Sequence, residues 1–555
     1  MLPANWGMAP RQSDTHPRAV SDRRTALSDH ATASDHATAS DRAPASKEDH
    51  EPVPVRHEHA DARRRGPDGC GDGGDAPVLP PWEGPGGALA DSYDIPTVTL
   101  SRRRVGAVVI TAAALAIAGL ARHALFSWDY RSYRPLMIAW SLAFAFSAIQ
   151  WLLSWRDRPW VITAAEQSHL DQLQVTVNVP LYNEDPALVD RCIWALVNQS
   201  RPPRRIAVVD DGSTIDYCAL RDHWTRTWPG GVEVCWTRQR NAGKKHAQSA
   251  TFANDPHADI FVTVDSDTAL ERHAIREGLK PFANSDVMSV AGIELAFNSA
   301  VNWLTRTVSA RSIFFQVVAC GTQSSFGDML VNRGAFALYR ANLIRDIMPA
   351  YIGETFMGRP VRLGDDAALT LFARGRGRAV QQSSAFALTM YPETLSHHIR
   401  QWIRWMRGST IRNCWRLRYL PVRSYGWWFT AIGIQLFLAS SIVPVMIVVT
   451  WPTSATFTWG AITAMVGWAY LTGLRIPAVR RSDEGWWYRL GSLACYAPAM
   501  LWGMFVLRPL RFWGIATCLR QDWTTRTEGV EIAIAATPAT PAQQAQQTQQ
   551  ERVSA

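Results

Sequence analysis

Arg205-Ile-Ala-Val-Val-Asp-Asp-Gly-Ser213 and Ile260-Phe-Val-Thr-Val-Asp-Ser-Asp267 decide the fold. Each is a short β-branched run ending on paired carboxylates, the first in Asp210-Asp211-Gly212-Ser213 and the second in Asp265-Ser266-Asp267. Around them, residues 172 to about 395 alternate β-rich runs with helical patterns. Strands are expected at Gln174–Val179, Arg205–Val209, Val232–Thr237 and Ile260–Val264, and helices at Pro186–Asn198, Ile215–Trp228 and Lys244–Asn254. That order predicts βαβ units on a mostly parallel sheet, whose ligands bind outside the carboxyl ends of the strands. Both acidic clusters stand at that edge. A D-x-D there can hold a hard divalent ion while the ion bridges two phosphates. Alone it reads as a solvated turn; the Asp-Asp-Gly-Ser about fifty-five residues earlier strengthens the site reading. Asn241-Ala-Gly-Lys-Lys245 lacks the spaced glycines and the hydroxyl of a phosphate loop, which argues against a nucleotide triphosphatase.

Further along, Leu363-Gly-Asp-Asp-Ala-Ala-Leu-Thr370 sets two carboxylates before an apolar helical pattern. They read either as a cap favourable to the helix dipole or as a base that activates an acceptor hydroxyl. Arg400-Gln-Trp-Ile-Arg-Trp-Met-Arg-Gly408 then opens a run with Arg400, Arg404, Arg407, Arg412, Arg416 and Arg418 mostly on one helix face. Its own pattern is that of an amphipathic helix on a membrane leaflet. DNA binding accounts for the charge but not for the apolar runs beside it.

The 555 residues include 25 Trp, and 47 % are hydrophobic while 19 % are charged, an average over very apolar and very polar parts. A wholly disordered chain and a small disulfide scaffold are both excluded. The eight cysteines form no C-x-x-C pair and read as reduced packing residues. The net charge of +9 suits nucleic acid, an anionic membrane or anionic substrates, so charge position decides. Residues 1 to about 95 are almost without aromatic and branched aliphatic side chains and repeat Ser-Asp-His-Ala-Thr-Ala from Ser28 and Ser34, a low-complexity tail expected to be disordered. No basic segment leads into an apolar run at the start, so no signal peptide is expected. Apolar runs follow at Val105–Leu120, Leu136–Leu153, Trp427–Trp451, Phe457–Leu474 and Gly485–Leu507. With their flanks they suit a bilayer core of about 30 Å, and the arginines at 102–104, 156 and 158 put both ends of the first hairpin in the cytoplasm. The last run conflicts with that rule: one crossing would leave Arg508, Arg511, Arg520 and Arg526 outside. A re-entrant segment, or a second crossing through Phe512–Leu519, would return the end to the cytoplasm.

Together these features resemble the processive family-two membrane glycosyltransferases, the bacterial hyaluronan synthases most of all, from Val105 to Arg526. The resemblance rests on Arg240-Asn-Ala-Gly-Lys-Lys-His-Ala-Gln248, Thr263-Val-Asp-Ser-Asp-Thr268, Asn302-Trp-Leu-Thr-Arg306, Glu354-Thr-Phe-Met-Gly358, Gly364-Asp-Asp366, Gln401-x-x-Arg404-Trp405, Phe505-Val-Leu-Arg-Pro-Leu510 and Trp523-Thr-Thr-Arg526 in one order. It implies an α/β GT-A domain with a nucleotide-sugar-binding, mostly parallel sheet, set between transmembrane helices. The implied division is a tail at 1–100, a membrane hairpin at 101–158 and a cytoplasmic GT-A domain at 159–395. Interface helices at 396–426, a membrane region with a gating segment at 427–527 and a tail at 528–555 complete it.

By the same resemblance Tyr182, Glu184, Asp211, Lys244 and Asp265 hold the nucleotide, and Asp265 and Asp267 bind it through Mg²⁺ or Mn²⁺. Asp366 is the base, with Asp365 the second candidate. Gln401, Arg404 and Trp405 meet the acceptor, and Trp523 and Arg526 close the gate. The implied partners are UDP-GlcNAc and UDP-GlcA, a growing polysaccharide and membrane lipids, with no nucleic acid, in a multi-pass plasma-membrane enzyme whose catalytic domain is cytoplasmic. A single-donor chitin- or cellulose-like synthase and a lipid-linked sugar transferase are the alternatives. Two departures bear on sugar identity: Asn332-Arg-Gly-Ala-Phe336 stands where the family has Cys-Ser-Gly-Pro-Leu, and Ala367 follows the Gly-Asp-Asp where it has Arg. Arg333 reads either as a partner for a uronic acid or as a solvated charge.

Overall fold

Val175-Thr-Val-Asn-Val-Pro-Leu181 is buried on both faces, as a central strand covered by helices must be. It is β1 of a nine-stranded sheet in a computed structural model. The structure describes residues 93–101, the helical positions 111 and 115, and 134–521 except 229–230 and 451–454, all within a unit that includes 75–555. The low-complexity tails, most of the Val105–Leu120 run, Trp523 and Arg526 lie outside the described residues.

The other strands are β2 (Arg205–Asp210), β3 (Thr227–Trp228), β4 (Val232–Arg238), β5 (Ile260–Thr263), β6 (Ala269–Leu270), β7 (Val287–Ala296), β8 (Ala337–Arg340) and β9 (Arg378–Thr389). They lie in the order β3-β4-β2-β1-β5-β8-β7-β9-β6. The expected parallel core is present: β1 pairs with β2 and β5, and β2 with β4, all parallel. The sheet as a whole is mixed rather than mostly parallel. β8 runs antiparallel between β5 and β7, and β3 and β6 form antiparallel edges. The reversal at β8 follows from its connection. The chain leaves the end of β7 through the helix Trp303–Phe314 and re-enters with Ala337 opposite Ala291, at the middle of β7, running back toward its start.

The helices expected at Pro186 and Lys244 are present as Pro186–Val197 and Lys244–Asn254. Asp185 caps the first, accepting from the Ala187 amide at 2.8 Å, with Pro186 preset for the first turn. Its Val189, Ile193 and Leu196 belong to the same buried cluster as Val175, Val177 and Val179 of β1, which are fully buried. Each such side chain contributes about 1.5–3 kcal/mol. The helix expected over Ile215–Trp228 is shorter, Cys218–Trp224, and Thr227–Trp228 turns onto the sheet as β3. Trp224 anchors that end by donating to Asp190 at 2.7 Å, and Pro229 disfavours helical backbone at Trp228. Among the described residues six cysteines are free thiols and Cys218 is disulfide-bonded, against the reading of all eight as reduced.

The apolar runs form the helices Arg134–Leu153, Tyr425–Thr450 and Ala455–Gly473. The conflict in the last run ends in one continuous 31-residue helix, Trp486–Ala516, with a π-turn at Gly503–Leu507. Among the described residues it is the one helix that meets the length and composition for crossing a membrane. Both of its ends nevertheless touch the sheet domain: Tyr488 bonds Ser299 at 2.9 Å, and Gln521, just past the other end, accepts from the Arg362 and Leu363 amides at 3.0 Å. The residues after Leu507 therefore lie on the sheet domain's side, and 512–516 is part of this helix rather than a separate crossing.

The arginine-rich segment is the helix Leu395–Tyr419. The leaflet-facing reading of its arginines is corrected at two of them. Arg412 is fully buried and holds Glu354 through two bonds of 2.6 and 2.9 Å, and Arg416 is buried and donates to the Leu330 carbonyl. Lys245 also binds Glu354 and donates to the Val361 carbonyl at 2.8 Å. Removing one partner of such a buried set costs about 3–5 kcal/mol because the others are left uncompensated. Glu354→Gln and Arg412→Met are therefore expected to lower the thermal midpoint of the detergent-solubilised protein, whereas Arg400→Gln, on the exposed side, leaves it unchanged; intrinsic tryptophan fluorescence reads the difference.

Candidate active site

The carboxyl ends of β1, β2 and β5 converge as the strand rule requires. Asp211 follows β2 and is buried. Its carboxylate accepts from Gln239 Nε2 at 2.7 Å, Ala242 N at 2.9 Å and Gly243 N at 2.8 Å. It thereby fixes the loop that launches the helix Lys244–Asn254. Gly212 is obligatory beside it: its φ is +77°, and a Cβ would lie 2.8 Å from the Asn241 amide nitrogen. The loop after β1 is tied to the same turn, Asn183 Oδ1 accepting from Thr214 N at 2.8 Å and Asn183 N donating to Ser213 Oγ at 3.0 Å. Glu184 is buried and accepts from Ser266 Oγ at 3.2 Å, while Tyr182 is half-buried on the cavity wall.

That anchored loop aims Lys244 at three carboxylates. Its Nζ lies 2.7 Å from Asp265 Oδ1, 3.4 Å from Asp365 Oδ2 and 4.0 Å from Asp366 Oδ1. Burial opposes the ammonium charge, but Asp265, Asp365 and Asp366 outweigh it and hold the pKa well above the ordinary lysine value. Gly334 makes room for the cluster, since a Cβ there would meet Asp366 Oδ1 at 2.7 Å and Lys244 Nζ at 2.8 Å.

The two adjacent carboxylates differ. Burial raises the pKa of both, but Lys244 and Lys245 more than offset this at Asp365, which stays below its ordinary value. At Asp366, burial and the neighbouring Asp365 charge together push it well up. The Asp366 side chain is also the more open, 27 % exposed against 8 %. A raised carboxyl that reaches the cavity is the better proton acceptor near neutral pH.

Asp267 Oδ1 accepts from Thr389 Oγ1 at 3.0 Å, and the Asp265 side chain is 36 % exposed. Two hard carboxylates at a strand end suit Mg²⁺ or Mn²⁺. Among the described residues no group of three or more His, Cys, Asp or Glu forms a cage, so further ligands would come from phosphate oxygens and water.

Gln401, Arg404 and Trp405 come from the helix Leu395–Tyr419 and line the same cavity as Asp211, Lys244, Asp265, Asp267, Asp365 and Asp366. Trp405 is 44 % exposed, as a stacking platform would be. The cavity, of about 1050 Å³, continues past these residues to Phe429, Gly433 and Phe437 of the helix Tyr425–Thr450 and to Met500 and Gly503 of the 31-residue helix. The motif Asn302–Arg306 turns out to be structural. Asn302 caps the helix Trp303–Phe314, accepting from Thr305 N at 2.9 Å, and Arg306 donates to the Tyr488 carbonyl at 2.7 Å. Arg333 is neither solvated nor free, since it pairs with Glu294 at 2.9 Å and bonds Ser312 at the same distance.

Sequence reasoning assigned no site role to Lys245, Glu354 and Arg412, which hold the loop before Asp365 from behind. The available signal was Glu354 within a quoted motif and an arginine on a helix otherwise amphipathic. It also passed over Arg311 and His398 on the cavity wall.

Residues 172–408 match the family described as glycosyltransferase like family 2. The chain is 29 % identical over 366 residues to a hyaluronan synthase of Streptococcus pyogenes serotype M1, covering 64 % of this chain and 83 % of that protein. It is 28 % identical over 378 residues to an N-acetylglucosaminyltransferase of Rhizobium meliloti (strain 1021), covering 65 % and 83 %. Among solved structures it is similar to a mannosyltransferase of Pyrobaculum calidifontis in complex with GDP-Man and Mn²⁺, with 17 % identity, a TM-score of 0.46, and coverage of 74 % of this chain and 99 % of that one.

The unequal carboxylates yield a pH prediction. Asp365→Asn removes the like charge that raises Asp366, so the acidic limb of the kcat profile moves to lower pH; an unmoved limb rules out Asp366 as the group titrating there.

A mixed sheet with acidic clusters at its strand ends lies within the residues that match this family, so residues 172–408 form a domain like those of family-2 glycosyltransferases, and the protein is a glycosyltransferase.

Proposed function

We propose that this glycosyltransferase is processive and inverting, that it polymerises UDP-sugars as a hyaluronan synthase does, alternating GlcNAc and GlcA, and that it moves the product across the plasma membrane. The carrying observation is the cavity that joins Asp265 and Lys244 to the apolar helices without interruption. An enzyme that releases a small product needs no such path; one that feeds a chain forward does. Membrane residence is supported by apolar side chains turned outward on those helices, among them Ile138, Leu142, Ile442, Val445 and Val449, each at least half exposed.

Tyr182, Glu184 and Asp211 form the nucleotide side of the site, Asp211 by holding the 239–243 loop. Asp265 and Asp267 would hold Mg²⁺ or Mn²⁺, which when bound neutralises charge on the leaving diphosphate. Lys244 supplies a further fixed cation there. Asp366 takes the proton of the acceptor hydroxyl as its oxygen attacks the anomeric carbon from the face opposite the diphosphate. The bond to the diphosphate breaks, and UDP leaves with the electron pair. Trp405 stacks on the acceptor sugar, Gln401 and Arg404 position it, and Trp523 and Arg526 are assigned the gate on the family resemblance.

Similarity to N-acetylglucosaminyltransferases keeps a single-donor reading in view. Radiolabelled sugar incorporation by the purified chain, with UDP-GlcNAc, UDP-GlcA or both in Mn²⁺, separates the two. High-mass product formed only with both donors, and digested by hyaluronidase, is expected; product from UDP-GlcNAc alone would replace this reading by a chitin-like one. Asp366→Asn is expected to abolish turnover in the same assay while UDP still binds, and retained polymerisation would exclude Asp366 as the base.

A further inference from the structure

Three cavity-lining side chains that the transfer step does not employ, Arg311, His398 and Trp402, lie beside the carbonyl end of Gln401 from the acceptor motif, on the wall between the paired aspartates and the apolar helices. Arg311 projects from the helix Trp303–Phe314, and among the described residues its guanidinium makes neither an ion pair nor a hydrogen bond. It lies over the Trp402 ring, its central carbon 4.5 Å from the ring centre. Trp402 is itself held, donating to the Leu507 carbonyl at 2.9 Å. Two other cations lining the cavity differ: Arg333 is consumed by Glu294 and Lys244 by Asp265, Asp365 and Asp366, while Arg511 lies farther along, over Phe437 of an apolar helix.

Two further polar groups stand unmatched. His398 is 1 % exposed with neither ring nitrogen bonded, and Gln401 Oε1 is buried without a donor. Buried polar atoms are nearly always paired, so two orphans beside an unpaired arginine mark a place where a polar ligand completes the bonding. Burial and the Arg311 charge hold the His398 pKa down at about 4, so at neutral pH the ring is uncharged and offers one donor and one acceptor. A sugar hydroxyl needs that pair. Burial lowers Arg311 only to about 10, so it stays cationic.

We propose that Arg311 is a specificity-determining residue that binds the carboxylate of a uronic acid unit in the growing polysaccharide, while His398 and Gln401 bond the hydroxyls of that unit. This assignment rests on the polymerase reading above. A planar guanidinium pairs with a carboxylate through two parallel bonds, which gives geometric selection between charged and neutral sugars. Arg333, which the sequence offered for this role, is already neutralised.

The test uses the full chain in detergent and two probes: a tetrasaccharide of alternating GlcA and GlcNAc, and the same tetrasaccharide with its carboxyls reduced to alcohols. Wild type is expected to bind the charged probe more tightly, with the preference shrinking as salt rises. Arg311→Gln should cut affinity for the charged probe about ten- to a hundredfold, leave the reduced probe little changed, and leave UDP affinity intact. Arg311→Lys, which keeps the charge but not the fork, should retain part of the preference. A preference undiminished in Arg311→Gln overturns the assignment, and so does a loss of UDP binding, which would put Arg311 at the diphosphate. No preference in wild type, with product made from UDP-GlcNAc alone, overturns it together with the two-sugar reading, so failure of the residue and failure of the function give different patterns.

Discussion

The buried ion network of Glu354 with Arg412 and Lys245 is the constraint on which the site depends. It joins the helix that begins at Lys244, the loop that precedes Gly364-Asp-Asp366 and the helix that carries Gln401, Arg404 and Trp405. Arg412 also donates to the Gly364 carbonyl at 3.1 Å, so the register between the helix Leu395–Tyr419 and the Asp365–Asp366 pair is set by a charge pair. Apolar packing of equal area would tolerate sliding; a fully buried guanidinium bonded twice to one carboxylate does not.

In front of that network, electrostatics divides the labour between neighbours in sequence. Lys245 faces backward to Glu354 and Lys244 forward to Asp265, Asp365 and Asp366. The asymmetry of Asp365 and Asp366 follows, because one carboxylate receives the cations' field and the other receives the first carboxylate's charge. Two adjacent aspartates thus acquire different roles without any difference in chemistry.

The 31-residue helix closes the remaining side. By returning through Gln521 to Arg362 and Leu363, it roofs the cavity with Met500, Gly503 and Leu507 and ties its own end to the loop before Gly364. The helix Leu395–Tyr419, the Asp365–Asp366 pair and the apolar helices are therefore mechanically one unit.

Much of this was legible in the residues. Strand-end Asp-Asp-Gly-Ser and Asp-Ser-Asp, the Pro186 and Lys244 helices and the apolar runs are local signals, carried by β-branched runs, caps and hydropathy that need no partner elsewhere in the chain. Cavity residues were found by motif because each motif keeps its chemistry on one short segment. The direction of β8, the end of the helix at Trp224, the inward turn of Arg412 and Arg416, the pairing of Arg333 with Glu294 and the return of the chain after Leu507 were not legible. Each is settled by a contact between segments tens to hundreds of residues apart. An arginine on an amphipathic helix has the same local pattern whether it faces water, lipid or a buried glutamate. The sequence by itself determined which chemical groups reach the strand ends; only the tertiary structure decided which charges meet, and that choice separates Asp366 from Asp365 in proton affinity.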